Sequence, residues 1–246
     1  MLIFLSPALN MRAAQAPVEA RQPRFLPETR QLVDELRRRS PWQLESLLRC
    51  NSEIALRAFA AYRDFDMDAA GTPAAAGYYG IAYTHLNAAS FTAQDYAYAD
   101  GHLRILSALY GSLRPSDGIS PHRLEMQTRL RVEGRDLYGF WGDRLYRDLF
   151  ERGEPVLSLA SGEYERAVSP YLRPRDRMVS ARFLVSRRGR WVVLPTEAKM
   201  ARGEMARHVI QNRIDDLGGV MEFDWNGYRY APALSDGRIM TFLQER

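Results

Sequence analysis

Hydrophobic and polar positions follow patterns that predict a strand at the start of the chain and helices soon after it. Residues 1–5 form an apolar run that Ser6-Pro7 ends, as expected for a buried strand. In residues 28–65, apolar positions recur at three- and four-residue spacing, and Ser40 and Asn51 stand where the second and third helices need N-caps. This segment therefore predicts a helical hairpin region.

Farther along the chain, short apolar runs alternate with amphipathic segments, which predicts a mixed α/β (α+β) fold. The predicted strands are short apolar runs, and they cover residues 103–110, 156–159, 179–185 and 191–194, the last two joined by a basic hairpin tip at 187–190. The predicted helices have one apolar face and cover residues 93–102, 136–150 and 196–217, the first capped by Thr92 and the last by Thr196. No repeat or linker is visible, so residues 1–246 are expected to form one domain with a central mixed sheet and surrounding helices.

Charge and composition narrow the function classes. The formal net charge of +4 permits contact with anions but is modest for a dedicated nucleic-acid binder. No apolar run approaches the roughly 20 residues that span a bilayer, and the first apolar run is too short for a signal peptide. We therefore expect a cytoplasmic protein without a membrane partner.

The residues that usually bind metals or cofactors form no recognisable pattern. The single cysteine, Cys50, excludes an internal disulfide, and the four histidines are dispersed, with no visible facial triad of two histidines and a carboxylate. There is also no glycine-rich phosphate loop, dinucleotide fingerprint or nucleophile elbow. We expect neither a metal site nor a cofactor.

Lys199 is the most unusual basic residue, because it is the only lysine among the 34 lysines and arginines of the chain. Its amine can lose a proton near neutral pH, form a Schiff base or act as a compact point charge. A guanidinium cannot do the first two and is a poor compact charge. The predicted helix at 196–217 places Lys199 in a first turn, with Arg202 beside it, where free backbone N–H groups favour an anion. The alternative is a solvated lysine that an arginine-rich composition left by chance.

Six motifs are spread along nearly the whole chain. They are Ser-Pro-Ala at 6–8, His-Leu-Arg-Ile-Leu-Ser-Ala-Leu-Tyr-Gly-Ser-Leu-Arg-Pro at 102–115, Pro-His-Arg-Leu-Glu-Met at 121–126, Leu-Tyr-Gly-Phe-Trp-Gly-Asp at 137–143, Leu-Ala-Ser-Gly-Glu-Tyr at 159–164 and Ala-Lys-Met-Ala-Arg-Gly at 198–203. In the order and spacing of these motifs, the chain resembles the YaaA peroxide-stress family. The resemblance implies a mixed α/β fold of one domain, a polar basic cleft formed by the motifs, and a helix-hairpin-helix-like region near residues 32–62. It also implies DNA binding and a role in limiting peroxide damage by lowering free intracellular iron.

Three departures from the family pattern suggest a divergent member. Leu9, Tyr79 and Met200 stand where similar proteins usually have lysine. Their loss makes the implied cleft less basic and more apolar, and phosphate affinity depends on summed cations. Such a cleft suits a small, partly aromatic ligand better than a polyanionic backbone.

The motifs contain nine candidate site residues. The candidates for catalysis are Lys199, Glu163, Tyr164 and Ser161, and those for binding a substrate or anion are Ser6, Arg104, Arg123, Glu125 and Arg202. In an enzyme, the lysine would be a base or nucleophile, Glu163 or Tyr164 would move protons, and Arg123 would hold an anionic group. Alternatively, Arg123 and Glu125 form a buried polar lattice that holds their loop.

Three functions stay open on the sequence alone. The first is a DNA-associated stress protein, although the hairpin region lacks the glycines that let such motifs approach phosphates closely. The second is a cleft enzyme acting on a small anionic or nucleobase-like metabolite with Lys199 as general base or nucleophile. The third is a structural or interaction protein with a relic cleft.

Overall fold

The computed structural model describes residues 1–245, in which the chain forms eleven α-helices and twelve strands. The strands are β1 (Leu2–Leu5), β2 (Asn10–Met11), β3 (Thr72–Pro73), β4 (Tyr78–Tyr79), β5 (Leu103–Ser107), β6 (Gly111–Leu113), β7 (Gly118–Ile119), β8 (Val156–Ser158), β9 (Met178–Arg187), β10 (Arg190–Val192), β11 (Tyr228–Tyr230) and β12 (Ile239–Gln244). The helices are α1 (Leu26–Arg37), α2 (Pro41–Leu48), α3 (Ser52–Arg63), α4 (Ala74–Gly77), α5 (Ile81–Leu86), α6 (Ala93–His102), α7 (Leu137–Trp141), α8 (Arg144–Phe150), α9 (Gly162–Glu165), α10 (Pro195–Gln211) and α11 (Leu217–Met221).

Within the described chain, eight strands form the central sheet. Its middle is parallel in the order β12-β9-β8-β1-β5, and the antiparallel strands β11 and β6 lie at the two edges, while β10 pairs with the end of β9. The parallel strands β1 and β8 are buried along their whole length, as expected for strands covered on both faces. The predicted mixed α/β (α+β) fold with a central mixed sheet is confirmed.

The order of the strands creates a crevice between β1 and β8. These two parallel strands are neighbours, but the next strand of the sheet after β1 is β5 on one side, and the next after β8 is β9 on the other. Connections that leave neighbouring parallel strands in opposite directions open a gap at the carboxyl ends of those strands. Open α/β sheets bind their ligands at this position.

The helical hairpin region begins its helices where the sequence predicts them. The Ser40 hydroxyl accepts a hydrogen bond from the Gln43 amide (3.3 Å), and the Ser40 amide donates to the Gln43 side chain (2.9 Å), so α2 starts with a complete capping box. Asn51 caps α3 by accepting from the Ile54 amide at 2.9 Å. Arg49, in the left-handed conformation (φ 50°), ends α2 and turns the chain toward α3.

Two predicted helices end earlier than their apolar pattern suggests. The helix predicted at 136–150 is two helices, α7 and α8, because Gly142 (φ 54°, ψ −135°) breaks the backbone between them. The helix predicted at 196–217 begins at Pro195 with Leu194 as N-cap, so Thr196 lies inside it and caps nothing. This helix ends at Gln211, and Asp216 starts the separate helix α11 by capping it.

The predicted strand at 103–110 and the predicted basic hairpin are both present, the first in a shorter form. The predicted strand at 103–110 ends at Ser107, and the predicted basic hairpin is present, with Arg187 paired to Arg190. None of the helices in residues 1–245 is long and apolar enough to cross a bilayer.

Candidate functional site

A cleft of about 470 Å³ lies where the crevice between β1 and β8 opens. Its walls come from the segments after β1 and β8, the start of α5, and the middle of α10. Seven of the nine predicted site residues line it, namely Ser6, Glu125, Ser161, Glu163, Tyr164, Lys199 and Arg202. Residues far apart in the chain therefore share one site.

Ser6 and Ser161 join the two strand ends at the base of the cleft. The Ser161 amide donates to Ser6 Oγ at 2.8 Å, and the Ser6 hydroxyl donates to Ser161 Oγ at 3.2 Å. The Tyr83 hydroxyl donates to the Ser6 carbonyl at 2.9 Å, which ties α5 to the same point. These bonds hold the two hydroxyls in place, and they leave the cleft with a rigid polar base.

Glu163 is the cleft residue best suited to proton transfer. Its carboxyl is half-buried, and Oε1 accepts a hydrogen bond from the Gln127 amide at 3.1 Å. Burial raises the pKa of Glu163, the nearby Glu125 carboxylate raises it further, and the Gln127 amide opposes the rise. A carboxyl whose pKa moves toward neutral exchanges protons more readily at physiological pH.

Tyr164 is buried beside Glu163. Burial raises the pKa of its phenol well above the ordinary value, and the neighbouring Glu163 carboxylate adds to the rise. The phenol therefore keeps its proton at neutral pH, so it can donate a hydrogen bond to a ligand but cannot act as a base.

Lys199 lines the cleft from the second turn of α10, not the first, because the helix begins four residues earlier at Pro195. The helix dipole acts within the first turn, so it contributes less to an anion site at this lysine than expected. The side chain is exposed. The walls of the cleft therefore cover this side chain only in part.

Arg202 reaches the cleft one turn after Lys199 and is more deeply placed. Its Nε atom is buried and has no hydrogen-bond partner among the residues that the structure describes. Burial lowers the pKa of the guanidinium, and the Glu165 carboxylate partly offsets this effect. An unpaired buried N–H is costly, so this atom is a ready donor to a ligand.

Gly203 brings the helix that carries Lys199 and Arg202 against α5. A Cβ atom added to Gly203 would lie 2.0 Å from the Ala82 carbonyl oxygen. The two backbones can approach this closely only because residue 203 has no side chain. The contact positions α10 opposite Ile81 and Tyr83, which line the other wall.

Two predicted residues lie outside this cleft. Arg104 is buried in an ion pair with Asp148 (Nε to Oδ2, 3.2 Å), and it donates to the carbonyls of Asp100 and Leu103 at 2.9 Å. Its guanidinium is therefore bound within the protein, outside the cleft. Arg123 lines a smaller depression of about 200 Å³.

The depression that contains Arg123 adjoins the cleft, because Leu9 and Asn10 line both. The Nε atom of Arg123 is buried without a hydrogen-bond partner in residues 1–245. The loop that carries Arg123 and Glu125 has backbone hydrogen bonds: the Glu125 amide donates to Thr128 Oγ1 at 3.2 Å, and the Arg123 carbonyl accepts from the Tyr62 hydroxyl. Arg123 thus stays near the site without being part of its main wall.

Sequence reasoning placed Tyr79 in the implied cleft but missed the contribution of residues 80–83. The alanine-rich segment before them has no clear periodicity, so nothing in the sequence placed Ile81 or Tyr83 at a site. Among the three positions that lack the usual lysine, Leu9 and Tyr79 line the cleft, and Met200 does not. The functional groups that line the cleft are therefore two carboxyls, two cations, hydroxyls and apolar side chains. No cluster of three or more possible metal ligands occurs within the described residues.

Comparisons with known proteins agree with the motifs. A family model described as "Peroxide stress protein YaaA" matches residues 1–234. The chain is 33% identical over 247 residues to a UPF0246 protein of Clostridioides difficile, and 38% identical over 247 residues to one of Limosilactobacillus fermentum. A UPF0246 protein of Hahella chejuensis is 38% identical over 256 residues. In all three cases the similarity covers 100% of both chains.

Proposed function

Because the chain belongs to the YaaA peroxide stress family, we propose that it serves the peroxide response by binding a small molecule in the cleft and transferring a proton on it through Glu163. The joint placement of Glu163 and Arg202 in the crevice between β1 and β8 carries this proposal. Glu163 offers a carboxyl whose pKa is raised, and Arg202 offers a buried N–H that has no hydrogen-bond partner within residues 1–245. A site of this kind binds and polarises a ligand.

The chemistry follows from these two side chains. Arg202 Nε donates to an acceptor atom of the ligand, and the Glu163 carboxylate takes a proton from a ligand N–H, O–H or activated C–H, becoming a carboxylic acid. The ligand gains one negative charge, which the cations of Arg202 and Lys199 balance. Glu163 then gives this proton to a different atom of the ligand, which restores the carboxylate and leaves the ligand isomerised.

Lys199 acts here as a cation. A lysine that acts as nucleophile or base is typically desolvated in an apolar pocket, whereas this side chain is exposed. Lys199→Arg should therefore retain function, whereas Lys199→Met should lose part of it. Equal loss in both variants would instead assign the amine a covalent or general-base role.

The test is peroxide survival of bacteria that lack their own copy and carry a variant of this chain. Glu163→Gln removes the proton-transfer group with little change in shape, so it should reduce survival to the level of an empty vector. The matched control is Glu222→Gln, an exposed residue outside the cleft. Full protection by Glu163→Gln, with expression equal to the parent, would refute the proposed role.

A second candidate function is DNA binding at the helical hairpin. Arg39, Arg49 and Arg129 line a depression of about 470 Å³ beside α2, and Arg39 Nε is buried without a hydrogen-bond partner among the described residues. Clustered arginines favour phosphates. The turn between α2 and α3 uses Arg49 where a glycine would let a phosphate approach the backbone more closely.

Salt titration of duplex binding tests this candidate. If the three arginines contact phosphates, replacing Arg49 and Arg129 by glutamine should reduce the slope of log affinity against log salt by about 0.9 for each lost contact. Arg229→Gln, at an exposed residue of β11, is the control. Absence of binding at low salt would exclude the function.

A further inference from the structure

Exposed apolar side chains gather at the mouth of the cleft. In the described chain, ten large hydrophobic residues are exposed, and three of them line this cleft: Leu9 (40% exposed), Tyr79 (47%) and Ile81 (38%). The pairing of Asn10 with Tyr79 between β2 and β4 brings Leu9 and Tyr79 together, and Ile81 follows at the start of α5. Grouped exposed apolar residues beside a pocket are typical of a binding surface.

Tyr79 offers a ring that a flat ligand can contact. The Arg12 guanidinium carbon lies 4.8 Å from the centre of the Tyr79 ring, so a cation–π contact helps to hold the ring in place. Nearly half of the side chain is nevertheless exposed. An aromatic ring held in this way at a cleft mouth favours stacking with a planar group.

The polar part of the cleft has charges of both signs. Lys199 and Arg202 are cations, whereas Glu125 and Glu163 are carboxyls. A polyanion would be repelled by the carboxylates as much as it is attracted by the cations. A ligand with both N–H donors and carbonyl acceptors satisfies both kinds of group, since carboxylates accept from N–H and Arg202 donates to oxygen.

We infer that the cleft recognises a planar heteroaromatic ring with N–H donors and C=O acceptors on its edge, as in a guanine or uracil base. The ring packs against Leu9, Tyr79 and Ile81 while its polar edge faces Glu163 and Arg202. This inference rests on the proposed small-molecule function and names its ligand class. The cleft volume of about 470 Å³ lies within the range of sites that hold ligands of this kind.

Calorimetric titration of the full chain tests the ligand class with four probes. Guanosine and uridine carry the required edge, purine riboside has the ring and sugar without that edge, and ribose 5-phosphate has the anion without a ring. At least one of the first two should bind saturably, and purine riboside should bind about tenfold more weakly than guanosine because it leaves the buried polar groups unpaired. Ribose 5-phosphate should bind least.

Variants at the cleft mouth locate the binding. Loss of one base–aromatic stack typically costs roughly 5- to 150-fold in affinity, so Tyr79→Ala should weaken nucleoside binding at least fivefold. Tyr171→Ala is the matched control, since that tyrosine is 37% exposed and lies outside the cleft. Leu9→Lys should shift preference toward ribose 5-phosphate, and Leu234→Lys, at a leucine 42% exposed elsewhere, should not.

Each outcome has a defined meaning. Failure of both nucleosides to bind, tighter binding of ribose 5-phosphate, or equal effects of Tyr79→Ala and Tyr171→Ala would overturn the inferred ligand class. If peroxide survival still requires Glu163 in that case, the proposed function stands with another ligand. Nucleoside binding that depends on Tyr79, together with full protection by Glu163→Gln, would support the ligand class and refute the proton-transfer role.

Discussion

Replacing Gly203 by alanine should destabilise the protein, although alanine is the better helix former. The added Cβ would lie 2.0 Å from the Ala82 carbonyl oxygen and 2.9 Å from both the Ala82 carbonyl carbon and His85 Cβ. Close carbon–oxygen contacts normally begin at about 3.3 Å. The backbone of α5 cannot rotate aside as a side chain can, so α5 and α10 would have to separate by about 1 Å.

The magnitude follows from two opposing effects. Alanine in a helix interior gains about 1 kcal/mol over glycine, whereas overpacking typically costs about 1–3 kcal/mol. Gly101→Ala supplies the comparison, because Gly101 lies in α6 and an added Cβ there meets nothing within 4 Å. Gly101 lies near the end of α6, so its propensity gain is smaller than that at Gly203, and Gly203→Ala should be less stable than Gly101→Ala by roughly 0.5–2.5 kcal/mol.

Urea unfolding of both variants measures the difference, and thermal unfolding should show a gap of about 2–4 °C for each kcal/mol in a chain of this size. Because α10 carries Lys199 and Arg202 and α5 carries Tyr83, Gly203→Ala should also weaken ligand binding, and Gly101→Ala should not. Equal free energies of unfolding for the two variants would refute the tight contact between α5 and α10.

Two further predictions concern buried ionisable side chains. Asp148→Asn removes the charge partner of buried Arg104 and should lower the free energy of unfolding in urea by about 3–5 kcal/mol. Asp143→Asn, in an exposed ion pair, should lower it by under about 1 kcal/mol. Equal losses for the two variants would contradict a structural ion pair. Burial lowers the pKa of His122 from 6.5 to about 4 in the folded protein. Between these two pH values, the unfolded state therefore binds more protons than the folded state. The free energy of unfolding should therefore fall by up to about 3 kcal/mol as pH falls through this window. His122→Gln should reduce that fall, and an unchanged slope would exclude a buried neutral histidine.

Local signals in the sequence predicted the helix starts well. Ser40, Asn51 and Thr92 each cap the helix that follows, because a cap depends on hydrogen bonds within three residues of sequence. Apolar periodicity was less reliable for helix ends. The predicted helices at 136–150 and 196–217 were too long because consecutive helices that pack on one core continue the same apolar pattern across a break.

The candidate site was predictable as a set of residues and unpredictable as an arrangement. The motifs contained all seven predicted residues that line the cleft, but they also contained Arg104, which is paired with Asp148. Sequence spacing carries no information about the partner of a charged side chain 44 positions away. The environment of Lys199 was likewise undecided until the start of α10 was known.

The sequence by itself determined the class of fold, the caps at Ser40, Asn51 and Thr92, and the inventory of chemical groups, because these depend on local hydrogen bonding and on the period of apolar positions. Only the tertiary structure decided that β1 and β8 are neighbours whose chains leave in opposite directions. That order opens the crevice, and the contact of Gly203 with Ala82 sets its opposite wall. Such placement depends on packing between segments distant in sequence, and no local pattern encodes it.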